Sequence, residues 1–141
     1  MFDQKASLIK HDGDSYYVGQ FHDDLAHGIG TRFFDDKRIL YNGEFKEGKR
    51  NGWGSLFVEL SCQRWVYQGY WKNDQANGKG TLFIGQSGKL TGMTFVGVFE
   101  NNVAHDGELM KRNGTESIRG EMRITQTRGF EKHDLSFFTL E

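Results

Sequence analysis

The sequence has no proline, one cysteine and only four alanines among 141 residues. So few alanines beside 19 glycines make a poor mixture for helices, and the composition therefore predicts strands and turns. A single cysteine, Cys62, cannot form an internal disulfide, which favours a reducing intracellular compartment. No run reaches the roughly 18 apolar residues of a membrane span. The first residues predict neither a secretory nor an organellar import signal.

An excess of charge of one sign is also lacking. The 18 lysines and arginines nearly balance 19 aspartates and glutamates, for a formal net charge of -1. Because nucleic-acid binding proteins usually carry a basic excess or stripe, we do not expect a nucleic-acid partner. Aromatic residues are plentiful at 14%, although only 36% of residues are hydrophobic. We therefore expect a thin sheet with stacked rings rather than a thick two-layer core.

An aromatic–glycine motif recurs about every 23 to 28 residues. It consists of an aromatic residue, Gly and a second aromatic residue at alternate positions and, after six more residues, Gly-any-Gly. A fixed period of this length indicates repeated supersecondary units. The five copies begin at Tyr17, Tyr41, Tyr67, Phe95 and Ile118.

Each unit is numbered here from its first aromatic residue. Positions 1, 3 and 5, such as Tyr67, Gly69 and Trp71, fall on one face of a strand because side chains alternate along it. Positions 12, 14 and 16 fall on one face of a second strand. The simplest connection is an antiparallel hairpin with a loop between positions 6 and 11. We expect the rings to lie over glycines of the same or an adjacent strand.

Two loop positions repeat in register, which predicts the same hairpin turn in each unit. Both positions carry residues that tolerate a left-handed backbone. Position 8 is Asp24, Gly48, Asp74 and Asn102, and position 11 is His27, Asn51, Asn77 and His105.

The connections between units vary in length, so we expect them together at one edge of the sheet. They lie near residues 35–37, 60–64, 85–92 and 111–117. The last two units are weaker: Asp106 and Glu108 replace glycines in the fourth, and Ile118 and Met122 replace aromatic residues in the fifth.

One domain over residues 1–141 is predicted. Residues 1–14 form an N-terminal half-unit or cap, and residues 15–130 hold the repeats. Residues 131–141 form a C-terminal cap or docking tail, for which a final strand, a short helix and a docking peptide stay open. Atypical ends are expected because terminal units must stop the array.

The first three units resemble MORN (membrane occupation and recognition nexus) repeats, and the likeness covers roughly residues 15 to 130. The segment from Tyr41 to Gly54 is a near-consensus copy. The resemblance implies an all-β fold: an elongated, twisted antiparallel sheet of stacked β-hairpins, about five units plus caps, with an aromatic-lined groove. Family members mostly act as scaffolds and assembly factors in ciliary, flagellar and cytoskeletal complexes, or as modules beside kinase or methyltransferase domains. Membrane and phosphoinositide attachment has been attributed to some members.

Catalytic chemistry has little support in the sequence. His22 and His27 flank two aspartates, but His27 occupies a turn position, so a structural role is favoured over a metal site. Cys62 lacks the signature of an activated nucleophile. Gly-any-Gly opens a strand here rather than a helix, so it does not form a phosphate-binding loop. We therefore expect a repeat-only protein that is not an enzyme, with no metal and no cofactor.

The basic clusters have acidic neighbours, so a charge-balanced solvated surface is favoured over a lipid-headgroup site. They are Lys37–Arg38, Lys46 with Lys49–Arg50, and Lys111–Arg112.

The aromatic row is the candidate binding site, because a one-layer sheet cannot bury both sides of every ring. Most ring area is expected to form core, and the remainder to line a partner-binding groove. The row comprises Tyr17, Phe21, Tyr41, Phe45, Tyr67, Trp71, Phe95 and Phe99.

These expectations favour a scaffold or assembly subunit that binds a partner protein segment in the aromatic groove. Its setting would be a larger cytoskeletal, ciliary or organellar complex, in the cytoplasm or associated with cytoskeleton or cilium. Self-association is a close variant. The alternative is a peripheral membrane module that recognises anionic lipid headgroups.

Overall fold

The computed structural model describes residues 8–12, 15–34, 38–111, 114–115, 122–127 and 132–137. These residues form one antiparallel sheet. Its strands are β1 (Leu8–Asp12), β2 (Ser15–His22), β3 (Leu25–Phe34), β4 (Ile39–Lys46), β5 (Lys49–Glu59), β6 (Arg64–Lys72), β7 (Gln75–Gln86), β8 (Thr94–Glu100), β9 (Val103–Lys111), β10 (Gly114–Thr115), β11 (Met122–Thr127) and β12 (Lys132–Phe137).

Strands β1 to β9 lie side by side in chain order, followed by β11 and β12, while β10 pairs back on β9. Neighbours in sequence are thus neighbours in space, as expected for stacked hairpins. The predicted all-β class, an elongated twisted antiparallel sheet of hairpins, is confirmed. Within the described residues, no helix is both long enough and apolar enough to span a bilayer.

Strands β2 to β9 present two distinct faces. We call the side that carries Tyr17 and its counterparts the inner face, and the opposite side the outer face. Along the middle of the inner face runs one glycine per strand, each opposite the next: Gly19, Gly30, Gly43, Gly54, Gly69, Gly80, Gly97 and Gly107. The buried hydrophobic cluster covers these glycines, so the core lies on the inner face.

The hairpin turns are tighter than predicted. Each has two left-handed residues, at positions 7 and 8; in the third unit these are Asn73 (φ 49°) and Asp74 (φ 68°). A two-residue turn with both φ values positive matches the twist of the flanking strands. The prediction for position 8 is confirmed, but the one for position 11 is wrong, because positive φ falls on the next residue instead. Gly52 (φ 100°) and Gly78 (φ 108°) occupy that position beside a bulge.

The turns also connect consecutive hairpins. The backbone amide at position 8 donates a hydrogen bond to the carbonyl at position 10 of the preceding hairpin. The pairs are Gly48 to Ala26 at 2.8 Å, Asp74 to Arg50 at 3.0 Å and Asn102 to Ala76 at 3.0 Å. These bonds satisfy backbone groups that a row of separate turns would leave to water.

The fourth hairpin keeps the glycine row by a shift of one residue. Gly97 pairs with Gly107, whereas the alignment of motifs placed Glu108 opposite it. The bulge of this hairpin is shorter than in the first three, so Gly107 reaches the inner face and the ring of Phe95 lies against it. The expected loss of the glycine in this unit is therefore wrong.

The predicted fifth unit does not form a hairpin of the same kind. Its turn positions, Ile124 and Thr125, lie inside strand β11, which continues to Thr127. Ile118 falls outside the described residues. In the C-terminal segment, residues 132–137 form a strand that pairs with β11, so the strand alternative for this segment is confirmed over that range.

The variable connections that are described lie opposite the tight turns, at the other end of the strands. Between β7 and β8 a short 3-10 helix, Gly88–Leu90, buries Leu90 against the core. Most of the connections near residues 35–37 and 111–117 lie outside the described residues.

Candidate functional site

The structure brings together all the aromatic residues that were predicted to line a groove. Their rings meet edge to face, both within hairpins, as for Tyr67 and Trp71 (5.1 Å), and between consecutive hairpins, as for Tyr41 and Trp71 (5.4 Å). The contacts form one chain of rings in the order Phe21, Tyr17, Phe45, Tyr41, Trp71, Tyr67, Phe99 and Phe95. Edge-to-face pairs of this kind each add about 0.5–1.5 kcal/mol beyond the burial of area.

Glycine makes this arrangement possible. A Cβ atom built on Gly80 would overlap the ring of Tyr67, with the Tyr67 Cζ atom 2.6 Å away. The same overlap occurs at Gly54 with the ring of Tyr41. Each tyrosine therefore lies flat on a bare backbone, and the predicted placement of rings over glycines is confirmed.

The tyrosine hydroxyl groups fix this position. Tyr17, Tyr41 and Tyr67 donate hydrogen bonds to the carbonyl three residues later, at 2.7, 2.8 and 2.9 Å. That carbonyl belongs to the single residue that stands opposite the bulge of the partner strand. The hydroxyl therefore satisfies an acceptor that the irregular ladder leaves available.

The ring chain is buried. The most exposed of its members is Phe21 at 8%, and Tyr41 and Tyr67 are at 0%. The rings thus form the core of the thin sheet. That they bind a partner stays a prediction. Their burial leaves little ring surface for such a contact.

Alkaline pH is expected to unfold the protein through these tyrosines. Burial raises the pKa of Tyr17 to about 12 and raises those of Tyr41 and Tyr67 as well. Above pH 10 the unfolded chain releases these protons while the folded chain holds them, so ionisation favours unfolding. Stability should fall by about 1.4 kcal/mol per pH unit for each buried tyrosine.

Urea unfolding at pH 8, 10 and 11 measures this fall in stability. Tyr67→Phe should lower the slope against pH, whereas Tyr70→Phe, a change in an exposed tyrosine, should leave it unchanged. Equal slopes in both variants would contradict the assignment.

A buried cation interrupts the regular core. Position 10 is Ala26, Ala76 and Ala104 in three hairpins but Arg50 in the second, where the side chain is only 2% exposed. Burial lowers the pKa of Arg50, and the carboxylate of Asp74 opposes that effect.

Hydrogen bonds and ring contacts hold this guanidinium in place. Asp74 Oδ1 accepts hydrogen bonds from Arg50 Nε at 3.1 Å and from the Arg50 amide at 2.8 Å. The guanidinium also lies 4.5 Å from the centre of a Trp71 ring. This contact lies between the second and third hairpins, so it stabilises their junction.

The outer face carries the exposed apolar surface. Among the described residues, every large hydrophobic side chain that is well exposed lies on this face. They are Leu25, Ile29, Trp53, Phe57, Tyr70, Phe83, Val96 and Val98. Trp53 and Tyr70 pair across β5 and β6 with their rings 5.0 Å apart and stay 45% and 47% exposed. Exposed apolar side chains that gather on one face are a candidate interaction site.

A second apolar row crosses the outer face nearer the variable connections. Its members stand opposite one another on six consecutive strands, in the order Tyr16, Phe33, Leu40, Phe57, Val66 and Phe83. Tyr16 and Phe33 stack at 4.6 Å. A polar row that includes Ser55 and Gln68 separates it from Trp53 and Tyr70.

Two clefts open on the outer face near the tight turns. The first, of about 700 Å³, lies between the second and third hairpins, and its lining includes Lys46, Lys49 and Lys72 against one acidic residue, Glu47. We call it the basic cleft. Arg50, predicted to share this cluster, is instead buried on the inner face.

The second cleft lies between the third and fourth hairpins. Glu100 and Asp106 line it together with Lys72 and His105. We call it the acidic cleft. The sign of charge therefore changes over one repeat.

The histidines and the cysteine are the side chains that could carry metal or nucleophilic chemistry. His27 Nδ1 accepts a hydrogen bond from the Glu47 amide at 3.2 Å, which links the first two hairpins. Cys62 is exposed in a variable connection. Within the described part of the chain, no three His, Cys, Asp or Glu side chains converge on a point where a metal ion would fit.

Sequence reasoning missed both the outer face and the buried arginine. A signal existed for each. Trp53, Phe57 and Tyr70 lie at positions that alternate with buried residues along β5 and β6. Polar residues are expected at such positions when that face of the sheet contacts only solvent. Arg50 replaces the alanine of the other hairpins, which indicated a local change in the core.

Stacked two-strand units with a shared ring core and an apolar outer face define a repeat module for interactions. The family model of the MORN repeat matches residues 17–37, 41–56 and 67–84, which are the first three hairpins. These three hairpins are therefore MORN repeats, as the sequence pattern indicated. A search of curated proteins gave no significant match.

Proposed function

We propose that this protein is a non-catalytic scaffold or assembly subunit that binds a segment of a partner protein through the outer face of its sheet. Its setting is a larger intracellular complex of the cytoskeleton, cilium or an organelle. One observation carries the proposal: the exposed large apolar side chains of the described residues all lie on the outer face. MORN repeats commonly act in protein or membrane interactions, which agrees with this role.

The apolar outer face is not needed to complete the fold. The inner face already buries its rings against one another and against glycine. The exposed side chains of Trp53, Phe57 and Tyr70 leave aromatic area in water. Burial of that area against a partner would stabilise the complex by about 25 cal/mol per Å². Aromatic residues also dominate the energetics of protein interfaces.

Loss of the outer aromatic residues should abolish partner capture. Trp53→Ser combined with Phe57→Ser should weaken binding to the native partner by tenfold or more, since interface aromatics often contribute at least about 2 kcal/mol each. Affinity purification from the native source, followed by titration of the isolated partner, measures the effect. Lys89→Ser, a change in an exposed residue of the 3-10 helix, is the control.

Both variants must keep the circular dichroism spectrum and melting temperature of a folded sheet. Undiminished capture by the folded double variant would reject the outer face as the binding surface. If the partner is a second copy, light scattering of the purified protein alone will show twice the monomer mass.

Peripheral binding to anionic membranes is the second candidate. The basic cleft favours it, because Lys46, Lys49 and Lys72 lie together beside the exposed Tyr70 ring. Lysines near an anionic surface contribute about 1 kcal/mol each. Flotation with phosphatidylserine vesicles, with and without phosphoinositides and across salt, tests it. Absence of salt-sensitive flotation would dismiss this candidate.

A further inference from the structure

The clefts and the exposed rings form one continuous surface near the tight turns. Tyr70 lines the basic cleft, and Val98, which is 45% exposed, lines the acidic cleft. Trp53 pairs with Tyr70, so apolar side chains lie on β5, β6 and β8 beside the two clefts. Lys79 on β7 is exposed and pairs with Val98, so a lysine lies between the apolar side chains of β6 and β8. Lysines commonly cover apolar surface with their aliphatic stem while the ammonium stays in water.

The sheet itself restricts what kind of segment can lie there. Strands β5 to β8 each pair with a neighbour on both sides, so their backbone groups are already hydrogen-bonded. A partner strand cannot extend the ladder at this place. A segment that docks on the face must satisfy its own backbone groups, and an α-helix does so.

The spacing of the clefts fits a helix. Consecutive hairpins are two strand spacings apart, which is about 10 Å. Seven helical residues rise by about 10.5 Å, so side chains at i and i+7 lie on the same face at the cleft spacing. A helix across the strands therefore brings one side chain to each cleft.

We propose that the partner segment is an amphipathic α-helix that lies across β5 to β8. Its apolar stripe covers Trp53, Tyr70 and Val98. An acidic side chain enters the basic cleft, and a basic side chain about seven residues away enters the acidic cleft. This inference rests on the proposed function and adds the chemistry of the partner.

Charge pattern favours such a helix over a membrane surface. A bilayer with anionic lipids presents negative charge across the whole face, including the acidic cleft with Glu100 and Asp106. A helix places its acid only against Lys46, Lys49 and Lys72. The change in the sign of charge between the two clefts therefore favours a partner with the matching charges over a uniformly anionic surface.

Three 18-residue helical peptides serve as probes. They share one leucine stripe and differ in the two flanking residues, seven positions apart: Glu and Lys, Glu and Glu, or Lys and Lys. Fluorescence anisotropy measures their dissociation constants. The Glu–Lys probe should bind at least tenfold more tightly than the other two.

Charge reversal in the protein completes the test. Lys46→Glu with Lys49→Glu should weaken the Glu–Lys probe about tenfold and strengthen the Lys–Lys probe. Lys89→Glu, the same change of charge at an exposed site away from the clefts, should alter neither. An unchanged order of affinities in the double variant overturns the inference, and so does failure of every probe to bind.

The outcomes separate the inference from the function on which it rests. If all three probes bind equally and Trp53→Ala abolishes binding, the apolar face binds helices without reading charge, and only the inference fails. If the native partner ignores the Trp53 and Phe57 substitutions, the proposed function fails. Salt-sensitive flotation of the wild-type protein with phosphatidylserine vesicles, lost in the lysine double variant, assigns the basic cleft to lipid and also overturns the inference.

Discussion

Replacing Gly80 by alanine is expected to destabilise the protein by about 3 kcal/mol or more and to lower its melting temperature by roughly 10 °C. The new Cβ would occupy space now filled by the ring of Tyr67, which is 0% exposed. That ring cannot move aside, because its hydroxyl is bound to the Tyr70 carbonyl at 2.9 Å and its edge contacts Trp71 and Phe99. A loss of this size is a large part of the 5–15 kcal/mol typical of domains.

Gly85→Ala is the matched control for this prediction. Gly85 lies on the same strand, is exposed, and a Cβ there would meet its nearest atom, the Arg64 carbonyl oxygen, at 3.4 Å. Its substitution should therefore change the unfolding free energy by less than about 1 kcal/mol. Thermal and urea unfolding compare the two variants. Similar stabilities would show that the ring does not depend on bare backbone.

Removal of Asp74 is expected to be the second most damaging change. Asp74→Ala leaves Arg50 charged and buried without its carboxylate, which should cost about 3 kcal/mol. Arg50→Ala combined with Asp74→Asn should be far less harmful. The junction between the third and fourth hairpins already has alanine and asparagine at the two corresponding positions. There the Asn102 Oδ1 atom accepts a hydrogen bond from the Ala76 amide at 2.7 Å.

Urea unfolding of the two variants gives the comparison. The double variant should lie within about 1.5 kcal/mol of wild type, since it loses the contacts of the guanidinium with Asp74 and Trp71 but leaves no buried charge without its partner. A double variant that is less stable than Asp74→Ala would mean that the arginine contributes to stability through packing rather than depending on its carboxylate.

The repeated motif predicted much of the fold because each copy follows the same local rules of side-chain alternation and turn chemistry. Alternation placed Tyr67, Gly69 and Trp71 on one face, and the structure agrees. The turn residues at position 8 were identified from their tolerance of positive φ, as Asp74 shows. Position 11 was assigned wrongly, because a bulge moves the left-handed residue to Gly78 and motif spacing alone does not reveal a bulge.

The candidate site was less predictable than the fold. The aromatic row was correctly found as a set, but its exposure depends on what the neighbouring hairpin places against each ring. Phe45 of the second hairpin contacts Tyr17 of the first at 4.9 Å, and such contacts bury most of each ring. The exposed rings of Trp53 and Tyr70 lie on the opposite face, which the aromatic–glycine period does not describe.

The sequence by itself determined the all-β class, the hairpin unit, the order of the units and the face on which the rings meet glycine. These follow from side-chain alternation and turn chemistry, which act within a few residues. Only the tertiary structure decided that Gly107 restores the glycine row, that Arg50 is buried against Trp71 and Asp74, and that the apolar outer face stays exposed. The physical reason is that burial and pairing are set by residues some 25 positions away in the next hairpin, which no single copy of the motif contains.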